Sequence, residues 1–108
     1  MLKVIFGNET MEKVLLFINV FGEAYIREIS RNFELPVRSV VQQLDRLERG
    51  GVLVSQLKGK IRLYQFNPSY PFRSELKNLL EKAYSILPEK VREKYYVKRT
   101  RPRGRKKP

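Results

Sequence analysis

The sequence predicts a mainly α fold with one small β-hairpin, an α+β domain followed by a basic tail, and three observations predict it. Apolar residues recur at helical spacing in four separate runs, two β-prone runs meet at Lys58-Gly59-Lys60, and glycine or proline marks every junction. With 108 residues and 42% hydrophobic content there is room for one small core, placed in 1–87, and a C-terminal arm, 88–108. The arm is expected to be largely extended or disordered without a partner.

In chain order, Leu2 to Gly7 form a short apolar lead. Asn8 can cap a helix and Glu9 suits its positive end. Met11, Val14, Leu15 and Ile18 then repeat at helical spacing as far as Gly22, a natural stop. Leu16, Phe17 and Val20 make this first helix apolar on more than one face, so it is either sandwiched inside the domain or shared with a second subunit. Ala24 and Tyr25 suggest a short extended piece. Ile26, Ile29 and Phe33 mark the buried stripe of a second helix over 27–34.

Pro36 falls where the first turn of a third helix should begin, a position that needs no backbone donor. Val40, Leu44 and Leu47 form its core-facing stripe, and Gly50-Gly51 ends it. The opposite face then carries Val37, Arg38, Val41, Gln42 and Asp45, with Ser39 and Arg46 toward the side. The β-prone runs 52–57 and 61–66 pair as a hairpin with a lysine-flanked glycine at its tip. Asn67-Pro68-Ser69-Tyr70-Pro71 is a turn-rich connector, and Phe72, Leu76, Leu79, Leu80, Ala83 and Leu87 trace a fourth helix that stops at Pro88.

Charge narrows the function. The formal net charge is +12 and the pI about 10.2, which favours a polyanionic partner. From Pro88 onward ten Lys or Arg stand against two acids, so two thirds of the excess sits in the arm. The chain has no His and no Cys, which removes disulfides, imidazole and thiolate metal sites, and the usual nucleophile and base pairs. Neither an enzyme nor a cofactor is expected. The longest apolar stretch, 14–21, is broken by Asn19 and too short to span a bilayer, and the first residues lack a secretory signal pattern. A cytoplasmic, nucleoid-associated protein is expected.

Two short helices joined through Leu35-Pro36, then a basic-tipped hairpin, are the layout of a winged helix-turn-helix. The stretch 24–80 resembles the winged-helix domain of ArsR-type prokaryotic regulators, through Tyr25-Ile26-Arg27-Glu28-Ile29, then Leu44-x-x-Leu47-x-x-Gly50-Gly51, then a wing ending Tyr64-x-Phe66-Asn67-Pro68. The resemblance covers roughly residues 5–87. It implies a homodimer formed through the first and last helices, a recognition helix matching 36–49 and a wing matching 52–66. Two departures matter. The family's thiol sensor ligands have no counterpart, which argues against metal-responsive derepression, and Leu35 precedes the recognition helix in place of the common Ser or Thr cap.

An α-helix fits the major groove, so residues near the start of the third helix are the candidate base readers. Arg38 can pair with guanine O6 and N7, and Gln42 with adenine N6 and N7. Val37 and Val41 can touch thymine methyls. A bidentate Arg contact is worth roughly 1 to 3 kcal/mol of discrimination. The bland alternative is that Arg38 and Gln42 only solvate a helix face. Ser39, Arg46, Lys58, Lys60 and Arg62 are candidate phosphate contacts; lysines at a hairpin tip also protect an edge from aggregation. Arg27, Arg31, Arg46 and Arg49 serve either as backbone clamps or in pairs with Glu28, Glu34, Asp45 or Glu48 on their own helices.

The tail segment Arg101-Pro102-Arg103-Gly104-Arg105-Lys106-Lys107-Pro108 resembles an AT-hook, whose Arg-Gly-Arg core lies in the narrow minor groove of A-T tracts. Lys106 stands where the second proline is usual. Arg101, Arg103, Gly104, Arg105, Lys106 and Lys107 either form that hook or act as a polybasic arm that adds affinity without reading sequence. Tyr95 and Tyr96 either stack on unpaired bases or pack on the fourth helix. The expected function is double-stranded DNA binding by a dimeric transcriptional regulator without a membrane partner. The alternatives are RNA or ribonucleoprotein binding, and a protein-interaction module with a polybasic tail.

Overall fold

Helix α2 (Glu9–Phe21) is the post around which the rest of the chain packs in the computed structural model, which describes residues 1–97. Asn8 caps it as its residue type predicts: the side-chain oxygen accepts the Met11 N–H at 2.7 Å. Met11, Val14, Leu15, Leu16, Phe17 and Ile18 are all buried. The sandwiched reading of this helix holds, because this chain alone covers those residues.

Around the post stand α1 (Lys3–Phe6), β1 (Ala24–Tyr25), α3 (Ile26–Phe33), α4 (Val37–Arg49), the hairpin β2 (Leu53–Lys58) and β3 (Ile61–Phe66), α5 (Arg73–Ile86) and α6 (Glu89–Tyr95). The three strands form an antiparallel sheet in the order β1-β3-β2. The architecture is a small, winged-helix-like α+β fold, as the sequence predicts. No helix among the described residues is long and apolar enough to cross a membrane. Ala24 and Tyr25 pair with Tyr64 and Leu63, so the short extended piece anchors the start of the helix-turn-helix to the sheet.

Several boundaries differ from expectation, each for a local reason. The apolar lead contains a helical turn, α1, closed by Gly7, and its Leu2 reaches the core. The second helix begins at Ile26 and ends at Phe33, because Glu34 turns left-handed at φ 56°. Leu35 N–H then donates to Ser30 O at 2.9 Å, and the Ser30 hydroxyl donates to Leu35 O at 2.6 Å, so the turn is hydrogen-bonded without a glycine. Pro36 is the residue before the third helix rather than its first member. Its fixed φ of −59° sits with an extended ψ of 139°, and it offers no capping side chain.

Gly51 is the left-handed residue that ends α4, at φ 80°. Gly51 N–H donates to Glu48 O at 3.1 Å and Val52 N–H to Leu47 O at 2.9 Å, the paired bonds of a Schellman stop. The hairpin turn is also tighter than the lysine-glycine-lysine loop. Lys58 pairs with Ile61, which leaves only Gly59-Lys60 as the turn, with Gly59 at φ 63°.

The largest correction concerns the arm. Residues from Pro88 were expected to be largely extended or disordered, yet Pro88 immediately precedes α6, and Tyr95 and Tyr96 at the end of that helix are anchored by aromatic contacts. Tyr96 is buried, with its ring 5.8 Å from Phe33 and 5.7 Å from Tyr84, while Tyr95 stacks on Phe33 at 5.2 Å. Asn32 Nδ2 donates to Tyr95 O at 3.0 Å. Both tyrosines thus contact Phe33 of α3, and Tyr96 also packs on Tyr84 of α5, the fourth helix of the sequence reading. The net charge of this stretch hid its apolar anchors. The hook-like residues Arg101, Arg103, Gly104, Arg105, Lys106 and Lys107 lie outside the described residues.

Candidate nucleic-acid interface

The orientation of α4 follows from three buried side chains. Val40, Leu44 and Leu47 pack toward α2, and a stripe at i, i+4 and i+7 points the remaining arc away from the core. Gln43 completes the buried side, its Oε1 accepting from Asn8 Nδ2 at 3.4 Å. This polar contact ties the cap of α2 to α4, and apolar periodicity gave no sign of it.

The candidate base readers emerge on the outward arc. Val37, Arg38 and Gln42 are exposed with Asp45 and Arg46, while Ser39 and Val41 are half-buried. Val37 is 39% exposed, a large apolar residue in water at the start of the helix. The structure therefore brings Val37, Arg38, Val41, Gln42, Ser39 and Arg46 onto one surface. None of α4's arginines forms an ion pair with Asp45 or Glu48 among the described residues, so the intrahelical pairing considered for Arg46 and Arg49 is not made.

The wing is fixed to α4 by a short polar relay. Ser55 Oγ donates to Glu48 Oε2 at 2.6 Å and accepts from Arg62 Nη1 at 3.0 Å. The end of α4, the edge strand β2 and the central strand β3 are thereby joined through one hydroxyl. Arg62 is held in place by this bond, yet its guanidinium keeps further donors free for another acceptor. Beside the relay the Tyr64 hydroxyl has its pKa raised, first by burial and then by the Glu48 and Asp45 carboxylates, against a lowering influence of Arg62. Lys58 and Lys60 are exposed at the tip.

Sequence reasoning missed two features of this surface. Leu57 is 61% exposed and Ile61 44%, so apolar side chains flank the lysines. A cleft of about 460 Å³ also opens between the wing and the starts of α3 and α4, where it meets Val37 and Arg27. The available signal was the apolar residue on each side of the tip, beyond the reach of the core. No protein-family model and no curated protein matches this chain.

Proposed function

We propose that this protein binds duplex DNA as a dimeric transcriptional regulator of the ArsR type, working in the cytoplasm on nucleoid DNA. α4 enters the major groove with Arg38 and Gln42 on base edges and Val37 and Val41 near thymine methyls. Lys58, Lys60 and Arg62 of the wing, with Ser39 and Arg46, meet the backbone. The tail from Arg101 to Lys107 follows the minor groove. The observation that carries this reading is the outward arc of α4, where Arg38, Gln42 and Arg46 stand beside Val37 and Val41 with no ion pair among the described residues, next to a lysine-tipped wing.

The tyrosine pair that supported RNA binding is committed to Phe33 and Tyr84, which weakens that alternative. For the dimer, α2 is already covered. Apolar side chains in water lie instead on α1, where Val4 is 92% and Ile5 67% exposed, and at Ile86 near the end of α5. These are the surfaces a second subunit would cover.

Fluorescence anisotropy tests the reading. Duplex DNA binds more tightly than single-stranded RNA of equal length, and log K falls steeply with log salt as phosphates are neutralised. RNA binding of equal or greater strength overturns it. Selection from a random duplex pool enriches an inverted repeat if the dimer reads sequence, and A-T tracts alone if the tail does the reading.

A further inference from the structure

The cleft between the wing and the start of α4 combines two chemistries. Three cations line it, Arg27 from α3 with Lys60 and Arg62 from the wing, and no acidic side chain does so among the described residues. Three apolar side chains, Val37, Leu57 and Ile61, share the same walls and stand in solvent. A surface that only solvates a hairpin tip needs the charges but not the apolar walls. A surface for an apolar peptide needs the walls but is burdened by three like charges in one cleft.

One strand of a duplex presents both demands at once, anionic phosphates alternating with the C–H faces of deoxyribose. We infer that this cleft seats a segment of sugar–phosphate backbone, with Arg27, Lys60 and Arg62 on phosphates and Leu57, Ile61 and Val37 against the sugars. The inference rests on the DNA-binding reading above and adds Arg27, Leu57 and Ile61 to the contact surface. The cleft adjoins the reading arc of α4 through Val37, so backbone held there fixes the depth and register of the helix in its groove. The Ser55 hydroxyl holds Arg62 at the cleft while leaving other guanidinium donors available.

Salt titration separates the two chemistries. A phosphate contact contributes to the slope of log K against log salt, whereas an apolar contact shifts the whole line without changing its slope. Leu57→Thr with Ile61→Thr keeps β-branched or β-tolerant side chains at exposed positions, and an unchanged melting temperature confirms the fold. This double variant lowers duplex affinity about tenfold at every salt concentration, with the slope unchanged. Arg27→Gln flattens the slope by about one. In the parent protein, the Leu57 and Ile61 methyl resonances shift on titration with duplex DNA.

If the parent binds duplex DNA but the double variant matches it and the methyls do not move, the cleft proposal fails while the DNA reading stands; a protein or small-molecule occupant would produce that result. An unchanged slope in Arg27→Gln removes Arg27 from the phosphates and overturns the clasp as drawn. A parent that binds no duplex removes both proposals together.

Discussion

Ser55→Ala isolates the joint between the wing and α4. The change removes one oxygen, leaves no large cavity, and deletes both the 2.6 Å bond to Glu48 and the 3.0 Å bond from Arg62. A hydrogen bond to a charged carboxylate is worth about 1.5 to 3 kcal/mol when its loss strands the acceptor. Glu48 is only half-buried, so water replaces part of that loss. Arg62 can also close directly on Glu48, an exposed pairing worth up to about 1 kcal/mol. The expected net loss is about 1 kcal/mol, seen as a lower denaturant midpoint with an unchanged m-value and a melting temperature a few degrees lower. A double-mutant cycle with Arg62→Gln then shows coupling of about 0.5 kcal/mol or more. Duplex affinity falls, and the salt slope flattens by up to about one as Arg62 turns from phosphate to Glu48. An unchanged midpoint together with strict additivity refutes the relay.

Three further outcomes follow from the packing. Leu44→Ala, at a fully buried position between α4 and α2, lowers stability by about 2 to 5 kcal/mol in urea unfolding, and unchanged stability would contradict the orientation of α4. Burial, and then the Glu12 carboxylate, raises the Tyr96 hydroxyl pKa above its ordinary value of 10.0. The unfolded chain therefore loses that proton first, so this contribution to stability is complete below pH 10 and declines as pH rises above it. Urea midpoints measured from pH 9 to 11 fall less in Tyr96→Phe than in the parent. If the proposed dimer forms through α1, Val4→Asp with Ile5→Asp lowers the mass measured by light scattering from dimer to monomer without unfolding the domain; a parent that is already monomeric overturns the dimer, and an unchanged dimer mass removes α1 from its interface.

The helices of the core were legible because each carries its own period. Val40, Leu44 and Leu47 named both the buried side of α4 and, by subtraction, the arc that faces outward. Asn8 and Gly51 announced a start and a stop through chemistry local to those residues. What periodicity could not show was structure enforced from a distance. Glu34 ends α3 in a left-handed conformation that residue type disfavours, held there by bonds to the carbonyls of Ser30 and Arg31. α6 forms where charge density suggested an extended or disordered arm, because Phe33, 62 residues before Tyr95, supplies the surface for Tyr95 and Tyr96.

The candidate site turns on hairpin register, which composition specifies only weakly. A three-residue loop over Lys58-Gly59-Lys60 would pair Leu57 with Ile61, and therefore Gln56 with Arg62 and Ser55 with Leu63. Arg62 would then project from the face opposite Ser55, and the bridge to Glu48 could not form. The observed two-residue turn pairs Leu57 with Arg62 and Ser55 with Tyr64, which returns Arg62 to the face that carries Ser55. One residue of slip exchanges every side chain between the two faces of a strand. Gly59, at φ 63° in the first position of the turn, accommodates the tighter register, and Tyr64 and Phe66 pay for its alternatives by lying on the buried face only in this one. The positions of Arg62, Leu57 and the lysines are thus set by which residues the core claims further down the same strand. That dependence is why the wing's charge could be read from the sequence while its geometry could not.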